Sequence, residues 1–215
     1  MKKIIFLLAL LFTCLLTACI FDDDDDEEWD ASKVCPESKR GTFTDDRDGQ
    51  VYKYTTIGNQ VWMAQNLNYD VEHDACYYED DDCRVMGRVY SSDYLVECPA
   101  GWHVASWSEW KKLFDSMDGM DVAGEKLKGT SGWTELNPED NPNGTDDCGF
   151  SVVSAINGRD NRGFRSVYLT STNDEWLNST CCAPIFVTFQ SYQPILTADN
   201  SVFGNVNGYI RCVKD

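Results

Sequence analysis

Histidine and basic residues are scarce in this 215-residue chain, which has two histidines and 18 lysines and arginines against 36 aspartates and glutamates. Structural zinc sites draw on clustered Cys and His ligands. The chain has no CxxC pair, and the isolated His73, three residues before Cys76, is a weak basis for such a site. The formal net charge of −18 also argues against nucleic acid as a partner, because phosphate binding needs a basic face.

Long apolar runs are missing beyond the N-terminus. No segment after residue 18 approaches 18 consecutive apolar residues, so we expect no transmembrane helix. At the start of the chain, Lys2-Lys3 precede an apolar stretch from Ile4 to Leu16, which is too short to span a bilayer but has the length of a signal-peptide core. An ordinary secretory signal or an N-terminal membrane anchor is the alternative.

The end of that stretch, Leu16-Thr17-Ala18-Cys19, resembles the lipobox of bacterial lipoproteins. The resemblance implies that residues 1–18 are a signal peptide and that Cys19 is acylated, with palmitate among its chains. Several acyl chains hold a protein on a membrane durably, so the lipid would be the only anchor needed. Ile20, and not Asp, follows the cysteine, which in similar lipoproteins favours the outer membrane.

Seven consecutive carboxylates at 22–28 follow the lipobox. Because they repel one another and bury no apolar surface, we expect residues 19–41 to form an acidic, disordered tether. The run resembles acidic export tags that send some lipoproteins to the outer face of the outer membrane, and a plain charged spacer is the alternative. The predicted location is therefore the cell envelope, on an outer-membrane lipoprotein exposed at the cell surface.

Eight cysteines remain once Cys14 and Cys19 are set aside with the signal and the lipid. An even number outside the cytoplasm indicates disulfides, although eight cysteines allow 105 pairings and the spacing does not choose among them. The eight are Cys35, Cys76, Cys83, Cys98, Cys148, Cys181, Cys182 and Cys212.

The pattern of apolar residues predicts an α+β fold of many short antiparallel strands. Val51 to Ile57, the turn Gly58-Asn59 and the segment from Gln60 to Leu67 predict a hairpin. Ser106 and Glu109 have capping-box spacing before a helix that runs to about Met117, and a second short helix is expected from Val122 to Lys128. The later chain predicts strands at 150–155, 166–171, 185–190 and 209–213.

Seven blocks of the sequence stand in an order that carries a family resemblance. They are Asp48–Lys53, Ile57–Asn68, Gly87–Tyr90, Cys98–Ser106, Glu109-Trp110, Gly144–Asp146 with Gly149–Ser151, and Gly208–Asp215. Together they resemble the Fibrobacter succinogenes major paralogous domain over residues 42–215. That family resembles the C-type-lectin-like fold shared by formylglycine-generating enzymes and hypervariable binding proteins, which implies a disulfide-stapled, lectin-like surface domain with no established reaction.

The resemblance also implies a disulfide between Cys98 and Cys212, because in the lectin-like fold the last strand returns beside the first. Cys76 and Cys83 are expected to form a smaller local bridge. Adjacent cysteines seldom bond to each other. We therefore expect Cys181 and Cys182 to take different partners, with Cys148 bonded to one of them and Cys35 to the other.

The favoured function is a non-catalytic binding or adhesion module for carbohydrate or another surface ligand, displayed on the loops of the lectin-like core. Six residues suit stacking and hydrogen bonding to such a ligand: Trp133, Arg159, Arg162, Arg165, Trp176 and Tyr192. A surface loop without a ligand is the alternative for each of them. At the level of the whole protein, the alternatives are a structural envelope protein and an enzyme related to formylglycine-generating folds.

No catalytic constellation stands out in the sequence. Exported cysteines are mostly oxidised, and His103, which lies in the Gly101-Trp102-His103 block, is expected to pack beneath the helix. We expect no cofactor and no essential calcium, although acidic clusters at 139–141, 146–147 and 173–175 have the oxygen ligands that calcium uses.

Overall fold

A computed structural model describes residues 28–72, 74–75, 80–135, 139, 141–156, 162–174, 183–191, 197–198 and 206–215. Within these ranges the chain is α+β, as predicted. The helices are α1 Ala31–Val34, α2 Asp80–Met86, α3 Trp107–Ser116 and α4 Met120–Leu127, with a 3-10 turn at Glu37–Lys39. The strands are β1 Gly41–Thr44, β2 Val51–Ile57, β3 Gln60–Met63, β4 Asp74–Ala75, β5 Val89–Ser91, β6 Trp102–Val104, β7 Ala155–Ile156, β8 Arg162–Asp174, β9 Ala183–Gln190, β10 Thr197–Ala198, β11 Asn207–Gly208 and β12 Cys212–Lys214.

The strands form three antiparallel sheets. The first has the order β1-β2-β3-β12-β6, so the C-terminal strand lies between β3 and β6. The second has the order β10-β9-β8-β7, and the third β11-β5-β4. None of the helices in the described part of the chain is long and apolar enough to cross a membrane.

The predicted hairpin is confirmed, with β2 and β3 paired in the register that brings Ile57 opposite Gln60. Gly58 at the turn has a φ of +58°, a left-handed conformation that glycine adopts without steric cost. A Cβ atom there would lie 2.7 Å from the side-chain oxygen of Ser116, the last residue of α3. Glycine is therefore required both by the turn and by the close approach of the helix.

The helix α3 begins as the sequence predicts, with a complete capping box. The Ser106 hydroxyl accepts from the Glu109 backbone, and the Glu109 carboxylate accepts from the Ser106 backbone. Such a cap satisfies two amides that the first turn leaves without partners. The second predicted helix is also present as α4.

An aromatic core joins α3 to two of the sheets. The rings of Trp62 on β3 and Trp110 on α3 are both fully buried, with centroids 4.9 Å apart. Phe150 packs against both of them at 5.6 and 5.8 Å. Tyr168 on β8 lies 5.4 Å from the Trp110 ring. These tilted and edge-on contacts fix the helix over the sheets and form the centre of the domain.

The predicted strands are only partly confirmed. The strands at 166–171 and 185–190 lie within β8 and β9. The strand at 150–155 is wrong, because Ser151 has a φ of +54°, outside the extended region, and only Ala155–Ile156 forms a strand there. The last strand begins at Cys212, later than predicted.

The folded domain begins before residue 41, which corrects the predicted extent of the tether. The indole nitrogen of Trp29 donates to the Ser116 carbonyl at 2.9 Å, and the Lys126 ammonium lies 3.9 Å from the centre of the Trp29 ring. Cys35 is 1 % exposed. Apolar and aromatic residues after the acidic run therefore join the body. Cys19 and the run through residue 27 lie outside the described residues.

Two disulfides are described. Cys98 and Cys212 are bonded, with Cα atoms 6.1 Å apart, as the resemblance implied. Cys35 is bonded to Cys148, so its expected pairing with Cys181 or Cys182 is wrong. The reason is that α1 packs against the body beside the segment at 146–151. Cys83 is also disulfide-bonded, whereas Cys76, Cys181 and Cys182 lie outside the described residues.

Candidate functional site

A cleft of about 590 Å³ opens between the outer strands of the first sheet, the helix α2 and the segment that follows Cys148. Its volume is within the range of small-ligand sites. We call it the basic cleft and define it by its lining residues: Arg40, Gly41, Thr42, Lys53, Tyr54, Ala64, Gln65, Asn66, Val85, Met86, Gly149, Ser151, Val153 and Arg211.

Arg211 forms the floor of the basic cleft and is 1 % exposed. Its Nε donates to the Asn66 side-chain oxygen at 2.7 Å, and its Nη2 donates to the Ser151 carbonyl at 2.9 Å. Its Nη1 donates to the carbonyls of Met63 and Phe150 at 2.9 and 2.7 Å. All four acceptors are uncharged, so these bonds orient the guanidinium, while its charge interacts with the nearby Asp146 carboxylate and with the faces of the Phe150 and Tyr168 rings, whose centres lie 4.5 and 5.6 Å away. Burial lowers the pKa of Arg211, but an arginine stays protonated.

Arg40 stands at one wall of the cleft. Its Nη2 donates to the Asp147 carbonyl at 2.9 Å, and its Nε is buried without a hydrogen-bond partner in the described residues. The guanidinium lies against Gly149, where an added Cβ would be 3.1 Å from Nη1. Gly149 also has a φ of +62°. Only glycine meets both requirements, so this residue gives Arg40 its place beside the cleft.

Lys53 supplies the third cation. It lies on β2 directly opposite Thr42 of β1, and it is exposed. Its backbone amide donates to the Gln65 side-chain oxygen at 2.8 Å. Among the described residues its ammonium makes no ion pair, so it is available to a ligand. Tyr54 on the next position brings a half-buried phenol to the lining.

The floor of the cleft is supported by a strained turn at 146–151. Asp146 and Ser151, neither of them glycine, have φ values of +50° and +54°. The Asp146 carboxylate accepts from the Ser151 amide at 2.7 Å and also from its hydroxyl. Burial raises the pKa of Asp146 above its ordinary value, partly offset by these two bonds. Strained backbone of this kind persists only where surrounding contacts hold it in place. Here the hydrogen bonds from Arg211 to the carbonyls of Phe150 and Ser151 and the Cys35–Cys148 bond hold the turn.

The charge of the basic cleft is opposite to that of the chain. Three cations and no acidic residue are found among its described lining residues, in a chain with 36 carboxylates and a net charge of −18, and the Asp146 carboxylate nearby interacts with Arg40 and Arg211. A concave site lined by one sign of charge concentrates ions of the other sign. The described part of the lining also has no histidine and no thiol, and the serine found there, Ser151, donates its hydroxyl to Asp146. The arrangement suits hydrogen bonding and charge recognition.

A second concave surface of about 570 Å³ has a different character. The Arg47 guanidinium lies 3.9 Å from the centre of the Tyr69 ring, and its Nη2 is 2.7 Å from the Asp45 carboxylate. Glu72 and Glu97 are also part of its lining. Because its one cation is already paired and carboxylates lie beside it, this surface lacks the uniform charge of the basic cleft.

His103 lies apart from the basic cleft and joins the C-terminus to α3. Its Nδ1 is 2.7 Å from the Asp215 carboxylate, and its Nε2 is 2.7 Å from that of Glu109. Burial lowers the pKa of His103, but the two hydrogen bonds together raise it above its ordinary value. The side chain is 43 % exposed, so the expectation that it packs beneath the helix is wrong. Two carboxylate partners favour the imidazolium over packing in an apolar layer.

Comparison with protein families finds a match to the Fibrobacter succinogenes major domain over residues 55–214. The chain belongs to this family. No curated protein and no solved structure matches the chain. The C-type-lectin-like fold therefore stays a prediction. In this Fibrobacter succinogenes major domain, Arg211 lies within the matched segment, whereas Arg40 and Lys53 precede it.

The structure places few of the predicted ligand-binding residues. Trp133 is 5 % exposed and belongs to the core, with the Lys128 ammonium 5.1 Å from its ring centre, so its prediction as a surface ligand residue is wrong. The buried Lys128 donates to the Pro142 carbonyl, and this pairing holds Trp133 inward. Arg165 is exposed on β8, and the backbone of Arg162 begins the same strand. Arg159, Trp176 and Tyr192 lie outside the described residues, and nothing described brings the six residues together.

Sequence reasoning missed all three cations of the basic cleft. Arg211 stood in the final family block, where an arginine between the apolar Ile210 and Cys212 is a signal for a buried charge. Lys53 stood in the first block, and Arg40 was assigned to the tether.

In the described residues no group of three or more His, Cys, Asp or Glu side chains has the arrangement of a metal site.

Proposed function

We propose that this protein is a lipid-anchored module of the cell envelope that binds a polar ligand at the cell surface without catalysing a reaction. The basic cleft is the observation that carries the binding role. Hydrogen-bonding groups and three cationic side chains converge there, and among the described residues the Lys53 ammonium makes no ion pair. The proposed anchor rests on the lipobox-like segment that ends in Cys19 and on the acidic run that follows.

The fixed donors and acceptors around the cleft support binding over chemistry. Arg211 is fixed by four hydrogen bonds, and Arg40 is held against Gly149. A preorganised site loses little conformational entropy when it takes a ligand. A general base or activated nucleophile would need a free carboxylate, imidazole or thiol within reach of a substrate, and none of these is among the lining residues that the structure describes.

Binding is tested with the soluble fragment from Trp29 to Asp215 on a broad panel of immobilised glycans and envelope polysaccharides. We expect saturable binding to at least one member, lost or strongly weakened in Lys53→Gln. Lys112→Gln is the matched control, because it removes the same charge from an exposed position on α3 outside the cleft. Absence of binding across the panel, or binding equally strong in Lys53→Gln, would contradict a binding role for the cleft.

The anchor is tested separately in cells. Metabolic labelling with a palmitate analogue is expected to label the wild-type protein and not Cys19→Ala. Surface protease treatment of intact cells is expected to remove the domain. A labelled Cys19→Ala protein, or a domain protected from protease, would contradict the proposed anchor or its surface location.

A structural envelope protein is the second candidate. The observation that favours it is the cross-linking of the body by Cys35–Cys148 and Cys98–Cys212, which join residues 113 and 114 positions apart. Such staples suit a rigid spacer as well as a binding scaffold. If the fragment binds no glycan of the panel while the protein in cells is still removed by surface protease, this candidate is favoured.

A further inference from the structure

We propose that the basic cleft recognises a carboxylate on a hydroxyl-rich ligand, and that its ligand class is a hexuronic acid, free or at the end of an acidic oligosaccharide. This inference rests on the proposed binding function of the same cleft and goes further by naming the ligand chemistry.

The sign of the charge is the first argument. The cleft gathers Arg40, Lys53 and Arg211, and none of its described lining residues is acidic in a strongly acidic chain, although the nearby Asp146 carboxylate interacts with both arginines. An anion in solution is repelled by most of this protein's surface and attracted only where the local charge is reversed. A neutral sugar gains nothing from such a reversal, whereas a carboxylate does.

The free donors are the second argument. Arg211 has committed Nε and Nη1 to neutral acceptors, so it contributes mainly its charge at the floor. The Arg40 side chain is 30 % exposed, its Nη2 donates to the Asp147 carbonyl, and the carboxylate of the 90 % exposed Glu37 lies 3.8 Å from its Nη1. An exposed pair at that distance contributes little. Arg40 and Lys53 therefore both have donor capacity left for a carboxylate.

The rest of the lining suits a sugar ring better than a bare acid. Thr42 and Tyr54 bring hydroxyl groups, and Gln65 brings an amide, all able to bond ring hydroxyls. Val85 and Met86 of α2 form an apolar wall that can cover the C–H face of a ring. The volume of about 590 Å³ also exceeds what a small carboxylate alone would fill.

The test is isothermal titration of the full-length chain, purified in detergent, with glucuronate and with glucose. These two sugars differ only in a carboxylate that replaces a hydroxymethyl group. A charge-assisted hydrogen bond predicts that glucuronate binds at least about tenfold more tightly than glucose. Lys53→Gln is expected to reduce glucuronate affinity by about tenfold and Lys112→Gln to leave it unchanged. Glucuronate affinity is also expected to fall as salt is added.

Two further titrations, with galacturonate as the monomer and with a short oligogalacturonate, distinguish the two sources of the carboxylate. Tighter binding of the oligomer than of the monomer indicates an acidic polysaccharide, and equal binding indicates a free sugar acid. Equal affinity for glucose and glucuronate, no binding of either acid, or an unchanged affinity in Lys53→Gln would overturn the inference. A neutral glycan bound by the wild type and lost in Lys53→Gln would do so while leaving the proposed binding function intact.

Discussion

Replacing Arg211 with methionine is expected to destabilise the fold far more than a typical substitution, because this one side chain donates to four acceptors in two distant chain segments, 63–66 and 150–151. They are the Asn66 side-chain oxygen and the carbonyls of Met63, Phe150 and Ser151, at 2.7 to 2.9 Å.

The size of the effect follows from those bonds. A buried acceptor that loses its donor costs about 1–3 kcal/mol, so the three buried bonds, to Asn66, Met63 and Phe150, together cost at least about 3 kcal/mol before relaxation. Removing a buried guanidinium also removes its own desolvation cost, which offsets part of that loss. We therefore expect the free energy of unfolding of Arg211→Met to fall by about 3–5 kcal/mol.

Urea unfolding of the oxidised fragment from Trp29 to Asp215 measures this change. Lys214→Met is the matched control, since it removes an exposed cation three residues away, and it should change stability by less than about 0.5 kcal/mol. Arg211→Lys keeps the charge, but an ammonium has three donors for four acceptors, so an intermediate loss is expected. A loss below about 1 kcal/mol in Arg211→Met, with an unchanged m-value, would refute the reasoning.

Two further predictions concern the C-terminal strand. Because the pKa of His103 is raised in the folded state, its contribution to stability is complete below the ordinary imidazole value of about 6.5 and is lost as pH rises through the folded value. The difference in melting temperature between wild type and His103→Gln should therefore shrink from pH 6 to pH 9, and a difference that grows with pH would contradict it. Removing the Cys98–Cys212 bond in the double serine variant should cost about 4–5 kcal/mol, since the bond closes a loop of 114 residues. Non-reducing peptide mapping that recovers Cys98 bonded to another cysteine would remove the basis of this second prediction.

The parts of the fold that the sequence predicted correctly depend on local signals. The Gly58-Asn59 turn and the Ser106 capping box act within a few residues, and both appear in the structure as expected. The Cys98–Cys212 bond was also expected, but only through a family resemblance, because pairing of distant cysteines depends on the whole topology.

The errors share a physical cause, which is long-range packing. The Cys35–Cys148 bond and the Arg40 contact with Asp147 draw the end of the expected tether into the body. Trp133 looked like a loop residue but is buried beside Lys128, whose long side chain reaches inward. The basic cleft unites residues from 40 to 211, and no pattern in the sequence measures that proximity.

The Cys35–Cys148 bond has a mechanical consequence. A force that pulls on the chain before Cys35 is transmitted through the disulfide directly to Cys148. The 112 residues between the two cysteines therefore lie outside the path by which tension reaches the C-terminus. The hairpin, α3 and α4 all lie inside that covalent loop. A domain held at its N-terminus in flowing medium would keep these elements folded under force, and Lys53 with Tyr54 would keep their positions while the tether is stretched.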